Sequence, residues 1–173
     1  MRFTTVLLMS AAMALTGCSD LVPLHSFVPE DYATFDPALT GAWDDSDGAL
    51  YLIKQDGKGY AIRYTEKDGV LKYSALLYKN GDMRLLDLTT SDGDPFQLKV
   101  HTPARVWVDG DTLRFAWLDS KWLRDEAQKT LGFHEVERRT LLSAPGDAVL
   151  RVLLTSGAGE QAHGKAAELT RVR

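Results

Sequence analysis

Short turns rich in glycine and aspartate divide most of this chain into short segments, and their spacing limits the fold more than any other feature. Between the turns, residues 60–65 alternate large apolar with smaller or polar side chains, the two-residue period of a half-buried strand. The turns are Asp56-Gly57, Lys67-Asp68-Gly69, Asn80-Gly81 and Asp109-Gly110. Asn80-Gly81 is the strongest hairpin signal, because both residues tolerate positive φ. Seven or so strands with short links predict a mainly β fold, an antiparallel meander closing into a barrel or half-barrel.

The last third of the chain departs from this pattern. Asp119 or Ser120 can cap a helix that runs to about Leu131, with Gly132 just past its end. A second short helix is predicted after residues 143–147. One strand is predicted over 134–142, another around 96–101, and a final strand over 166–173 that closes or extends the sheet.

The N-terminus contains the only cysteine, Cys18, at the end of Leu15-Thr16-Gly17-Cys18. Before it, Arg2 is followed by an apolar run of about a dozen residues, shorter than the ~20 that a membrane-spanning helix needs. This predicts a cleaved signal peptide over residues 1–17. Residues 18–37 are then expected to form a tether whose later half packs on the domain, and residues 38–173 a single β-rich domain.

Leu15-Thr16-Gly17-Cys18 resembles the lipobox of bacterial lipoproteins. The resemblance implies that Cys18 becomes the first residue of the mature protein and carries covalent lipid on its sulfur and amino group. An ordinary signal peptide with an incidental cysteine is the alternative, and the absence of any other cysteine argues against it. In the sorting pattern of enteric bacteria, Ser19 after the cysteine favours the outer over the inner membrane, on the periplasmic side.

Charge and cysteine content exclude several classes of partner. The whole chain has a formal charge of −4, and the signal contributes only Arg2, so the mature chain is at −5. This acidity argues against nucleic acid and leaves the lipid anchor as the contact with membrane. Apart from the lipid on Cys18, no cofactor is expected.

Residues for catalysis or metal binding are sparse. The four histidines lie far apart, and no motif for a nucleophile elbow, a phosphate loop or a dinucleotide site is present. His101 is the one candidate site histidine, although a surface or hydrogen-bonded role is favoured. Residues 44–48 superficially resemble half of a calcium loop, but Trp43 and Lys54 fall where ligands belong, so a solvated turn is predicted. We expect no metal and no enzymatic activity.

Two resemblances bear on the architecture. Gly41-Ala42-Trp43 is similar to the Gly-x-Trp opening of lipocalins. That resemblance implies that Trp43 closes one barrel end against an arginine of a late strand, either Arg171 or Arg173. Residues 35–43, 86–88, 101–106 and 111–123 also resemble a family of uncharacterised bacterial small proteins and lipoproteins. No activity comes with this second resemblance.

Three functions remain open at this point. The first is a non-catalytic binding module for a small apolar ligand, whose lining would be Tyr60, Ile62, Tyr64, Leu113, Phe115 and Trp117. The same side chains can instead fill a solid core, as in many small barrels. The second is a structural or interaction lipoprotein that contacts another envelope protein. The third, an envelope hydrolase, requires a cleft around His101 or the acidic turns. A continuous apolar cavity of roughly 300 Å³ or more would favour binding.

Overall fold

Eight antiparallel strands close into a barrel in the computed structural model, which describes residues 21–67, 69–91, 98–136, 139–157 and 159–173. The elements in chain order are β1 (Leu21–Pro23), a 3₁₀ helix (Pro37–Leu39), β2 (Gly41–Asp44), β3 (Leu50–Asp56), β4 (Gly59–Glu66), β5 (Gly69–Asn80), β6 (Met83–Thr90), β7 (Thr102–Asp109), β8 (Thr112–Trp117), α1 (Ser120–Thr130), β9 (Phe133–Val136), β10 (Arg139–Leu142), α2 (Gly146–Thr155), a 3₁₀ helix (Glu160–Ala162) and β11 (Ala167–Arg171). The final strand β11 lies between β8 and β2 and completes the ring. The predicted class, a mainly β barrel with two short helices near the C-terminus, is confirmed. The signal segment and Cys18 lie outside the described residues.

The two ends of the barrel differ in how the strands are connected. At the end that we call the base, the hairpins β3–β4, β5–β6 and β7–β8 turn in two residues each. Each turn begins with a glycine at positive φ, at Gly57, Gly81 and Gly110. Asn80 pairs with Met83, so the β5–β6 turn is Gly81-Asp82, one residue later than the sequence motif suggested. The opposite end, which we call the mouth, has the longer connections β2–β3, β6–β7 and β8–β11, together with the β4–β5 hairpin, in which Glu66 pairs with Gly69.

Residues 21–40, which we call the strap, run along the outside of the barrel from the mouth to the base. The amide of His101, next to the start of β7 at the mouth, donates to the Pro23 carbonyl at 2.9 Å. Further along, Thr34 bridges to Leu77 of β5, and the 3₁₀ helix then leads into β2 at the base. Phe27 and Val28 are completely buried. The strap therefore packs on the domain from β1 onward, whereas only the later half of residues 18–37 was expected to do so.

A small second sheet and two helices cover one outer wall of the barrel. β10 pairs in parallel with β1 and antiparallel with β9, so the single strand predicted over 134–142 is replaced by two paired strands. The shared core contains residues of the strap, of β6 and of both helices, including Phe27, Leu85, Leu123 and Val149. The strand predicted around 96–101 does not form at residues 98–101, and Phe96 lies outside the described residues.

Side-chain alternation on the barrel strands separates interior from exterior. On β4, Tyr60, Ile62 and Tyr64 are buried, whereas Ala61 and Arg63 are exposed. This is the two-residue period that the sequence contains, and it sends one face of each strand into the barrel. None of the helices in the described part of the chain is long and apolar enough to cross a membrane.

Candidate ligand-binding cavity

The interior of the barrel contains a cavity of about 400 Å³. All six residues predicted to line a binding site face it, namely Tyr60, Ile62, Tyr64, Leu113, Phe115 and Trp117. The remaining lining comes from the first 3₁₀ helix, through Leu39, and from the inward faces of the other strands: Tyr51, Ile53, Leu71, Tyr73, Leu86, Leu88, Ala104, Val106 and Leu169. The structure thus brings together, in one space, residues from the strap, from β3 to β8 and from β11.

Aromatic rings line the upper half of the cavity, near the mouth. Tyr51 and Tyr64 are cross-strand partners with ring centroids 4.8 Å apart, and Tyr51 lies 6.1 Å from Phe115. Phe115 in turn meets Trp117 edge to face at 5.5 Å. Tilted and edge-to-face rings are the arrangements that aromatic pairs prefer. Tyr51 and Tyr73 were missed by the sequence prediction, although each stands opposite a predicted residue on a neighbouring strand.

The polar atoms of the lining side chains are the tyrosine hydroxyls and the indole nitrogen of Trp117, and the hydroxyls stay neutral at ordinary pH. Burial raises the pKa of Tyr51, with the nearby Tyr64 and acidic groups adding to the effect. Burial, together with the neighbouring Glu66 carboxylate, raises the pKa of Tyr64 to about 12. Burial also raises the pKa values of Tyr60 and Tyr73. None of the lining residues in the described part of the chain is charged, so the cavity offers a ligand apolar contact and neutral hydrogen-bonding groups.

Trp43 and Arg171 pack against each other at the base of the barrel. Trp43 is completely buried, and its Nε1 donates to the Leu39 carbonyl at 3.0 Å. The Arg171 guanidinium lies 4.0 Å from the centre of the Trp43 ring. It also donates to the Thr40 carbonyl at 2.8 Å and the Ala38 carbonyl at 2.9 Å. Arg171 therefore ties the last strand to both the first barrel strand and the strap.

Of the two arginines proposed for this closure, the structure places Arg171 on Trp43. Arg173 points elsewhere and forms an exposed ion pair with Asp111. Gly41 is required beside Arg171, because a Cβ atom there would lie 2.5 Å from Nη1 and the glycine has a φ of +138°. The Gly-x-Trp motif and the late arginine thus form one contact.

No family model, curated protein or solved structure matches this chain. The resemblances to lipocalins and to the family of uncharacterised lipoproteins therefore stay predictions.

A buried carboxylate secures the strap at the base. Asp36 accepts hydrogen bonds from Lys79 Nζ at 2.9 Å, Arg84 Nε at 3.0 Å and the Ala38 amide at 3.1 Å. Burial alone would raise the pKa of Asp36, but the hydrogen bonds from Lys79, Arg84 and Ala38 outweigh it and lower the pKa. Asp36 is therefore a structural anion that holds the strap to β5 and β6.

His101, the candidate site histidine, has a partner that the sequence prediction did not identify. Its Nδ1 lies 2.8 Å from Oδ1 of Asp87, a buried residue on the outer face of β6. The other oxygen, Oδ2, accepts from the Ser26 hydroxyl at 2.6 Å and the Phe27 amide at 3.1 Å. The carboxylate thus stands between serine and histidine, whereas nucleophilic catalysis needs the histidine against the serine hydroxyl. The cluster instead joins the strap to the barrel wall.

The acidic turn after β2 uses its carboxylate internally. Asp45 Oδ1 accepts from the amides of Asp47 and Ala49 at 2.9 and 2.8 Å, as aspartate does in many tight turns. Within the described ranges, no group of three or more histidine, cysteine, aspartate or glutamate side chains is arranged to hold a metal ion.

Proposed function

We propose that this protein is a non-catalytic binding module for a small, neutral, apolar ligand, held at the cell envelope by lipid on Cys18. The observation that carries the binding function is the apolar cavity of about 400 Å³ inside the barrel. Ligand sites of proteins commonly enclose about 300–1,000 Å³ and are lined by hydrophobic and aromatic side chains with a few polar groups. The cavity falls in that range and has that lining.

The cavity limits the size and chemistry of the ligand. At about 30 Å³ per non-hydrogen atom, the volume of a water molecule in the liquid, the cavity accommodates roughly 13 such atoms. A medium-length acyl chain or a one- or two-ring aromatic compound fits this limit. A charged group would lose its hydration inside without gaining an ionic partner, so any charged part of the ligand has to stay at the mouth.

The anchor is supported by the sequence of residues 1–18 and by the chain's single cysteine. Several acyl chains on one residue give stable membrane attachment, whereas one chain binds only marginally. Ser19 after the cysteine supports the outer membrane as the destination. The intact mass of the full chain from a bacterial host, compared with that of a Cys18→Ser variant, tests this part. We expect a mass increase from attached lipid in the protein that contains Cys18 and none in the Cys18→Ser variant.

Titration with 4-(dimethylamino)benzonitrile, a neutral one-ring probe whose fluorescence increases in apolar surroundings, tests the binding part. We expect saturable binding that a medium-chain fatty alcohol displaces. Ala104→Trp places an indole in the cavity and should weaken binding at least tenfold, or about 1.4 kcal/mol. Ala61→Trp is the matched control, because Ala61 lies on the exposed face of β4. Val106→Phe fills the same space with a smaller change if the tryptophan prevents folding.

Equal probe affinity in Ala104→Trp, Val106→Phe and Ala61→Trp would refute binding inside the barrel. The alternative function, a structural lipoprotein that contacts another envelope protein, was expected to have a solid core. The open interior supports ligand binding over that alternative.

A further inference from the structure

Large apolar side chains are exposed at the mouth of the barrel. Leu50 is 40% exposed, Val70 48% and Leu71 51%. Leu50 and Val70 both flank Thr65 on the outer wall, and Leu71 stands opposite Tyr64 on the inner wall. Leu98, 60% exposed, precedes β7 at the same end. We call Leu50, Val70, Leu71 and Leu98 the rim patch.

The rim patch combines exposed apolar surface with the entrance of the cavity. Leu71 belongs to both, because it lines the cavity and is half exposed. The other large exposed apolar residues of the described ranges are Tyr32, Phe35 and Val172, which lie on the strap and after β11. Phe35 stacks on the Tyr60 ring with centroids 5.4 Å apart. The mouth therefore has the largest group of exposed apolar side chains that share one end of the molecule.

The strap brings the N-terminal side of the chain to the same end. Going backwards along the chain, the strap passes from Asp87, which binds the Phe27 amide, to His101, which binds the Pro23 carbonyl. Leu21, the first described residue, is two residues beyond Pro23. Cys18 is three residues before Leu21, and three residues span at most about 11 Å. The Cα atom of Cys18 is thus within about 11 Å of that of Leu21, which limits where a lipid can be attached.

We propose that the mouth of the barrel faces the lipid bilayer and that the rim patch inserts among the lipids, so that the cavity opens toward the acyl chains. This inference rests on the proposed lipid anchor at Cys18. The anchor holds the mouth end near the membrane, and insertion removes the apolar side chains of the rim patch from water. The ligand then enters from the bilayer, which identifies it as a membrane-dissolved molecule such as a single acyl chain.

The charges at the mouth indicate which kind of lipid surface suits the rim patch. Asp45, Asp47 and Glu66 lie at this end of the barrel together with Lys67 and Lys99. Groups of both signs give no excess of positive charge to attract anionic headgroups. The contact is therefore apolar, and zwitterionic phosphatidylcholine vesicles are a sufficient test membrane.

The test uses the full chain, produced with its signal segment in a bacterial host and reconstituted into phosphatidylcholine vesicles. With lipid on Cys18, a Val70→Cys variant contains a single free thiol for an environment-sensitive nitrobenzoxadiazole label. The matched control is Asp82→Cys, because Asp82 is exposed in the β5–β6 turn at the base. Lipids with nitroxide on the acyl chain quench only labels that reach the apolar layer.

We expect several-fold stronger quenching at position 70 than at position 82. Equal quenching at the two positions, or stronger quenching at position 82, overturns the proposed orientation. Mass spectrometry of the same sample separates the two proposals. A lipidated Cys18 with equal quenching refutes the orientation alone, whereas a Cys18 without lipid refutes the anchor and the orientation with it. The probe titration of the cavity depends on neither result.

Discussion

Removing the guanidinium of Arg171 should weaken the closure of the barrel more than any other single change to an arginine near the C-terminus. Arg171→Ala leaves the Thr40 and Ala38 carbonyls without their donor and exposes the face of the Trp43 ring. Each lost hydrogen bond costs about 1 kcal/mol, since both carbonyls are only partly shielded from water. The cation–π contact contributes about 1 kcal/mol more.

The expected total is about 3 kcal/mol of unfolding free energy, which corresponds to a melting temperature lowered by roughly 10 °C for a domain of this size. Urea denaturation followed by tryptophan fluorescence measures the first quantity, and calorimetry measures the second. Arg171→Lys keeps the charge but can reach only one carbonyl, so its stability should fall between those of the unchanged protein and Arg171→Ala.

Arg173→Ala is the matched control, because it removes an arginine two residues away whose ion pair with Asp111 is exposed. We expect no measurable change in its stability. If Arg171→Ala and Arg173→Ala unfold at the same urea concentration, the contact between the last strand and Trp43 does not hold the barrel closed.

Three further predictions follow from the base and the cavity. Because the pKa of Asp36 is lowered in the folded state, its contribution to stability is present above the ordinary pKa of 3.8 and is lost as the pH falls through the folded-state value. Denaturation midpoints of the unchanged protein should therefore approach those of Asp36→Asn as the pH falls below 4, and a constant gap between them down to pH 2 would contradict this. Gly41→Ala should destabilise the protein more than Gly48→Ala, since both glycines have positive φ but only Gly41 has Arg171 against it; equal thermal midpoints would show that Arg171 adjusts freely. In a spectrophotometric titration, the Tyr64 hydroxyl should ionise near pH 12. Its ionisation is the absorbance change that the Tyr64→Phe variant lacks. Ionisation near pH 10 would mean that water reaches the hydroxyl.

The barrel could be predicted because turn residues and the two-residue period agree along β3 to β8. The split of residues 134–142 into β9 and β10 could not, because residues 137–138 are Glu-Arg and contain none of the glycine, asparagine or proline that marks a turn. Periodicity alone therefore predicted one strand where the structure has β9 and β10.

The candidate site was predictable in its lining but not in its volume. Tyr60, Ile62 and Tyr64 face inward in either a filled or a hollow barrel, and only their packing in three dimensions distinguishes the two. The partner of His101 could not be predicted, for a different reason. Asp87 lies between Leu86 and Leu88, in a segment whose composition is typical of a buried strand. Its carboxylate accepts from the Phe27 amide of the strap, 60 residues earlier in the chain.

The pairing of β11 with β2 has a consequence for how the protein folds. Residues 43–44 of the first barrel strand find their partners at 170–171, more than 120 positions later. During synthesis the hairpins from β3 to β8 can form in sequence, each from neighbouring residues, whereas the edge of β2 stays unpaired until residues 170–171 have been made. Contacts so distant in sequence slow folding. The unpaired edge of β2 is also the place where an incomplete chain can join another incomplete chain. A protein that ends at residue 166 and so lacks β11 should therefore aggregate, even though seven of the eight barrel strands are present.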